Sequence, residues 1–137
     1  MRPVAVEFAA PVDAVFGYLS DPATRPEWQG SLRRIDALQG EGEVGTTWRD
    51  VTAVGARPRM KVTEVDPGRS WAEVGRWGGI DAGLRLAFAE VPTGTVVTAT
   101  VDVTTSLPMR PVGWVLRRLA PYAVRDDLRR AARALGS

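Results

Sequence analysis

Apolar and polar positions alternate at the start of the chain. Val4, Val6 and Phe8 are separated by Ala5 and Glu7, the two-residue period of a strand with one buried face. The period then lengthens. Val12, Val15, Phe16 and Leu19 recur at helical spacing behind Pro11, which suits a first helical turn, and Asp13 favours the positive end of that helix. Asp21-Pro22 restarts the chain as a short capped helix, with Asp21 as N-cap and Pro22 at the first helical position.

From Ser31 onward the pattern predicts strands over Leu32–Leu38, Thr47–Val54, Arg59–Val65, Ser70–Trp77, Ala82–Val91 and Thr95–Thr105. Their connectors, such as Asp66-Pro67-Gly68-Arg69 and Pro92-Thr93-Gly94, carry residues that turns require. The run Gly40–Gly45 lacks the Gly-Lys-Ser/Thr ending of a phosphate cradle and reads as a hairpin connection. Short connectors between successive strands imply antiparallel neighbours. Helical spacing returns over Pro111–Leu135, through Val112, Leu116, Leu119, Ala123, Leu128, Ala131 and Leu135. Pro121 is expected to kink or split that helix because it removes an intrahelical hydrogen bond.

Opposed side chains in an antiparallel pair share a face, so pairing predicts the inner wall. Pairing Val65 with Ser70 sets Glu64 opposite Trp71 and Val62 opposite Glu73. Pairing Val54 with Arg59 sets Arg49 opposite Glu64 and Val51 opposite Val62. The later hairpins place Glu73 beside Leu86 and Trp71 beside Phe88. The apolar set Leu84, Leu86, Phe88, Val97, Ala99, Val101 and Val103, against Arg85, Thr98, Thr100 and Asp102, marks the inner side. The predicted wall holds Val51, Met60, Val62, Trp71, Trp77, Leu84, Leu86 and Phe88, with Arg49, Glu64 and Glu73 among them. Trp48 falls on the outer face, and a one-residue slip in any hairpin reverses its strand.

The order strand, two short helices, six strands, long helix resembles the START-like helix-grip superfamily (SRPBCC), in its polyketide cyclase/dehydrase-like branch. The residues that carry the resemblance are Ala9-Ala10-Pro11-Val12-Asp13-Ala14-Val15-Phe16, Leu19-Ser20-Asp21-Pro22 and Glu27-Trp28. It implies one α+β domain over residues 1–137: a seven-stranded antiparallel sheet wrapped around the C-terminal helix, with two short helices between strands 1 and 2. It also implies a cavity between sheet and helix for a hydrophobic or amphipathic small molecule (lipid, polyketide-like or aromatic), and aldol-type ring closure where relatives are enzymes.

Composition narrows the chemistry. The 137 residues, in the single-domain range, contain neither cysteine nor histidine. That excludes disulfides, thiolate chemistry, a Ser-His triad and most transition-metal sites, and no cofactor is expected. A net charge of +2 is too small to argue for nucleic acid. No apolar run approaches the ~20 residues of a membrane helix and no signal-like N-terminus is present, so a cytoplasmic location is expected.

Catalytic candidates are Glu73, Glu64 and Arg49: a buried carboxylate with a raised pKa as base, and the guanidinium stabilising an enolate-like charge. The same trio also reads as a structural Arg49–Glu64 pair with a hydrated Glu73. Candidate ligand-lining residues are Val51, Met60, Val62, Trp71, Trp77, Leu84, Leu86, Phe88 and Val97, with Trp114 and Leu116 from the last helix. Trp28 reads as a packing anchor, whereas Trp114 either closes the cavity mouth or packs. Tyr18 and Tyr122 are proton donors only if they leave structural roles. Arg117, Arg118, Arg125, Arg129, Arg130 and Arg133 form the solvated side of an amphipathic helix or a weak membrane-surface contact. Three classes stay open: a ligand binder, a cyclase or dehydratase using cavity carboxylates, and a protein-interaction module. A monomer and a homodimer are equally compatible with the pattern.

Overall fold

In the computed structural model, which describes residues 3–136, the predicted elements appear with small changes at their ends. They are β1 (Val4–Phe8), α1 (Val12–Leu19), a 3₁₀ turn (Pro22–Thr24), α2 (Arg25–Trp28), β2 (Leu32–Gln39), β3 (Thr47–Thr52), β4 (Arg59–Asp66), β5 (Ser70–Trp77), β6 (Ile80–Val91) and β7 (Gly94–Thr105). A second 3₁₀ turn (Leu107–Met109) leads into α3 (Arg110–Ala134). The seven strands form one antiparallel sheet in the order β1-β7-β6-β5-β4-β3-β2, so the first strand closes against the last. This is the expected α+β helix-grip arrangement. The Asp21 carboxylate accepts from the Ala23 amide at 2.9 Å, the cap predicted for the short helical restart.

β6 and β7 set the inner wall as their alternation predicts. Leu84, Leu86 and Phe88 lie opposite Val101, Ala99 and Val97. The neighbouring hairpin is offset by two residues from expectation, with Glu73 opposite Leu84 and Trp71 opposite Leu86. An even offset preserves the face, and Trp71 and Glu73 stay inside.

Two other pairings reverse faces. β3 and β4 align Thr47 with Lys61, Trp48 with Met60 and Arg49 with Arg59. The Thr52 amide bonds to the Ala56 carbonyl and the Asp50 amide to the Pro58 carbonyl, so a wider loop replaces the tight turn assumed between Val54 and Arg59. Trp48 therefore turns inward and is buried, while Arg49 turns out. Val51, expected on the inner wall, lies opposite Arg34 of β2 and is buried outside the main core. In the β4–β5 pair the ladder shifts between Val62 and Glu64. The bulge keeps Val62 opposite Glu73 but sets Glu64 opposite Ala72, on the outer face, where it pairs with Arg85 at 3.1 Å.

α3 runs through Pro121 as a single 25-residue helix and is not split. Its two halves pack differently. Leu128, Ala131 and Ala132 are buried in the core with Phe8, Leu19, Trp71 and Leu86. In the first half the side against β7 carries Gly113, where a Cβ would come within 2.6 Å of the Thr105 side chain, and Arg117, which donates to the Val103 carbonyl at 3.1 Å. That close approach turns the larger residues away. Val112, Leu116 and Leu119, expected to be buried, are exposed, and so is Trp114.

This asymmetry makes a stability prediction. Leu128→Ala should cost about 2–5 kcal/mol, the range for truncating a buried leucine. Leu119→Ala should stay within about 0.5 kcal/mol. Equal shifts in the two chemical-denaturation midpoints would show that α3 buries both halves.

Candidate functional site

The concave face tapers. Under the C-terminal half of α3 the wall is built from Trp71, Leu86 and Phe88, whose ring meets Phe16 edge-on at 5.1 Å. Two rungs along from Trp71 and Leu86, beyond Glu73 and Leu84, the row across β3 to β7 is Trp48, Met60, Gly75, Ala82 and Val103. Gly75 and Ala82 leave space, part of which Met60 takes: its sulfur lies 2.7 Å from where a Gly75 Cβ would be. The remaining space is a cavity of about 180 Å³, partly open to solvent. Its walls are Asp50, Met60 and Glu73, then Ala82 to Leu84, Leu86 and Val101 from the later strands. α2 contributes Arg25, Trp28 and Gln29, and α3 contributes Val124, Asp127 and Leu128.

A buried guanidinium organises one side of it. Arg25 is 2% exposed and faces Glu73, also 2% exposed, through both ends of its fork. The Nη1–Oε2 bond measures 3.0 Å. Arg25 also donates to Gln29 at 3.2 Å and lies over the rings of Trp28 and Trp48, 4.8 and 5.7 Å from their centroids. Trp71 donates to Glu73 at 3.1 Å, and Trp48 donates to Asp50 at 2.9 Å. Each tryptophan thus holds a carboxylate two residues further along its own strand, on the same face.

One cation serves two carboxylates here. Burial would lower the Arg25 pKa, but the Glu73 charge overrides this and raises it. Asp50 is left in surplus. Its burial, reinforced by Glu73 and opposed by Arg25 and the Trp48 N–H, raises its carboxyl from 3.8 to about 6. Glu73 is committed to Arg25 and Trp71, whereas Asp50 accepts one side-chain hydrogen bond among the described residues. Two buried donors on the cavity residues, Arg25 Nε and Trp28 Nε1, have no partner among the described residues.

α2 and α3 are clamped beside this cluster. Asp127 accepts from the Gly30 amide at 3.0 Å, and Arg130 donates to the Trp28 carbonyl at 2.9 Å. Burial raises the Asp127 pKa against those partners. Arg117 and Arg130 of the C-terminal arginine cluster are therefore tethered to backbone carbonyls while still reaching solvent.

Of the candidates read from sequence, Glu73, Met60, Leu84 and Leu86 line the cavity. Val62, Trp71, Phe88 and Val97 are packed into the core, as is Trp28. Trp77, at the end of β5, is 48% exposed, and Leu116 and Trp114 face solvent. Arg49 and Glu64 do not meet each other or the cavity. Arg49 pairs with Asp36 at 2.8 Å. They belong to the outer face, where a second pocket of about 580 Å³ is lined by residues that include Arg49, Arg59, Lys61 and Arg76. Tyr18 donates to Glu27 and its pKa is pushed up to about 12, mainly by burial. Sequence reasoning missed Arg25 and Asp50. The paired spacings Trp48-x-Asp50 and Trp71-x-Glu73 were the available signal.

Comparison with known proteins adds the following. The family described as "Polyketide cyclase / dehydrase and lipid transport" matches residues 4–137. Among curated proteins, none is similar enough in sequence to match. Among solved structures, the di-domain ARO/CYC StfQ from the steffimycin biosynthetic pathway aligns at TM-score 0.78 and 17% identity, over 98% of this chain and 49% of that one. A START superfamily protein from Mycobacterium smegmatis aligns at 0.71 and 15%, over 98% and 92% of the two chains. A conserved protein from Geobacillus kaustophilus gives 0.72 and 15%, over 97% and 93%. At these identities the likeness is one of fold.

Two predictions follow from the buried charges. Glu73→Gln leaves Arg25 without its counter-charge and should cost about 3–5 kcal/mol, while Arg25→Met with Glu73→Leu should recover much of that loss. A single variant as stable as the double would remove the ion pair from the account. Asp50, with its raised pKa, holds its proton more tightly in the folded chain. Its destabilising effect is full above pH about 6 and vanishes below about 4, so its contribution to stability rises as pH falls through that window. Asp50→Asn should be more stable than the wild type at pH 7.5 by roughly 2–3 kcal/mol, converging with it near pH 4. Parallel midpoint–pH curves for the two proteins would refute this.

Proposed function

The chain belongs to the polyketide cyclase / dehydrase and lipid transport family, and on that premise we propose that it binds a small amphipathic molecule in the cavity between sheet and α3. The observation that carries this reading is the pairing of an apolar wall with unpaired polar groups. Leu84, Leu86, Val101, Val124 and Leu128 surround space beside which Arg25 Nε and Trp28 Nε1 lack acceptors among the described residues, and Asp50 accepts only the Trp48 indole there. Buried donors of this kind are normally satisfied by protein, water or ligand. A carbonyl or hydroxyl on an otherwise apolar ligand supplies the acceptor.

Volume limits the ligand. About 180 Å³ is close to the ~150 Å³ apolar cavity that accepts benzene and below the ~300–1,000 Å³ of sites for larger molecules. One ring with a short substituent fits, and a longer molecule has to extend through the open side.

Phenol and toluene, matched in shape, test the reading by tryptophan-fluorescence titration. Both should saturate, Leu84→Trp should abolish both by filling the space, and Trp28→Phe should weaken phenol about tenfold while sparing toluene, the effect of roughly one lost hydrogen bond. Absence of saturation with either probe would end the proposal.

A second reading, catalysis, is favoured by one observation: a buried cavity carboxyl with a pKa near neutrality, Asp50. It would exchange a proton α to a ligand carbonyl, with Arg25 and Trp28 toward the enolate oxygen. Exchange of acetophenone α-hydrogens in deuterated water should then accelerate as pH rises through about 6 and disappear in Asp50→Asn. Equal rates with and without protein leave binding as the sole activity.

A further inference from the structure

The N-terminal half of α3 departs from the rest of the molecule in two independent ways. At 3.6 residues per turn, Asp127 and Arg130 mark the side of α3 that docks on α2. The same side, about one to four turns earlier, carries Val112, Leu116, Leu119 and Ala123, and no described element covers it. Leu119 is 57% exposed, Val112 and Leu116 are exposed as well, and Val115 and Tyr122 widen the stripe. A contiguous exposed apolar face on one helix is a feature that soluble surfaces avoid unless something docks there.

Charge is the second departure. Between Asp102 and Asp126 there is no acidic residue, and Arg110, Arg117, Arg118 and Arg125 fall in that interval. Arg117 is tied to Val103, but Arg118 and Arg125 flank the apolar stripe on one side, joined by Arg129 a turn later. Trp114 sits on that flank, 59% exposed, with the Arg118 guanidinium 5.4 Å from its ring centroid. An apolar stripe bordered by arginines, with tryptophan and tyrosine beside it, is the pattern of a helix lying in a membrane interface. The charges also discriminate between occupants. A second copy of this chain would bring two acid-free, arginine-bearing faces together, whereas an anionic lipid surface complements them.

We propose that the N-terminal half of α3 docks on the surface of an anionic lipid bilayer, with Val112, Leu116 and Leu119 entering the interface and Arg118 and Arg125 on headgroup phosphates. Among the described residues no helix is long and apolar enough to cross a membrane, so the contact is peripheral. The inference rests on the α3 surface alone and stands or falls separately from the cavity reading.

Cosedimentation of the full chain with vesicles tests it, using phosphatidylcholine alone and phosphatidylcholine with about 30% phosphatidylglycerol. The wild type should bind the anionic vesicles at least tenfold better than the neutral ones and lose that advantage as salt rises. Leu119→Glu and, separately, Arg118→Glu with Arg125→Glu should each reduce binding tenfold or more. Val54→Glu, a change at an exposed apolar residue in the β3–β4 loop, should leave it unchanged. Denaturation midpoints of all variants should match the wild type, because every substituted side chain lies outside the core. No binding to anionic vesicles, or binding indifferent to Leu119→Glu, would overturn the proposal. So would a dimer in solution that Leu119→Glu converts to monomer, which assigns the face to a second copy. A soluble acidic protein that displaces the chain from vesicles at low occupancy would reassign it to a protein partner.

Discussion

The Arg25–Glu73 ion pair is the constraint around which one side of this molecule is arranged. Removing a guanidinium and a carboxylate from water is expensive, and the attraction between them offsets that only when the remaining hydrogen-bond sites are filled. Here Glu73 receives the Arg25 fork and the Trp71 indole, and Arg25 is stacked between Trp28 and Trp48 while donating to Gln29. These demands explain why a four-residue helix, too short to be stable alone, holds a fixed position on the sheet. Three of the five tryptophans in the chain touch this one pair, directly or through a ring face.

The cavity follows from the same arrangement. Arg25 and Trp28 hold α2 at the sheet, and Asp127 and Arg130 hold α3 at α2, so the two helices cannot close over the Gly75–Ala82 end of the wall. Large side chains fill the other end under Leu128 and Ala131. The space that remains is bounded by apolar groups on the sheet side and by the charged cluster on the α2 side. A ligand with one apolar and one polar end matches that division.

The distribution of roles among the carboxylates separates structure from chemistry. Glu73, the carboxylate most visible in the strand pattern, is fully engaged by Arg25 and Trp71 and acts as a structural counter-ion. Asp50 is the group left over, because one guanidinium cannot neutralise both. Its raised pKa comes first from burial, to which the Glu73 charge adds against the opposing pull of Arg25 and the Trp48 N–H. Whether the cavity binds or also moves protons therefore turns on Asp50 and not on the ion pair.

Local pattern determined the elements, their order, the antiparallel sheet and the inner face of β6 and β7, because side-chain alternation and turn residues are properties of short segments. It also placed Trp71 and Glu73 inside, since an even error in hairpin offset leaves the face unchanged. Only the tertiary structure decided the rest of the site. The wide β3–β4 loop and the bulge after Val62 each change parity, which sends Arg49 and Glu64 outward and brings Trp48 and Asp50 in. Neither event has a local signature strong enough to read. Arg25 carried no signal in its own short segment, since its partner lies 48 positions away on another element. Likewise, the apolar stripe of α3 was legible as a stripe, but which way it faced depended on Gly113 allowing the opposite side to approach β7. Periodicity reports that a face exists; packing decides what it meets.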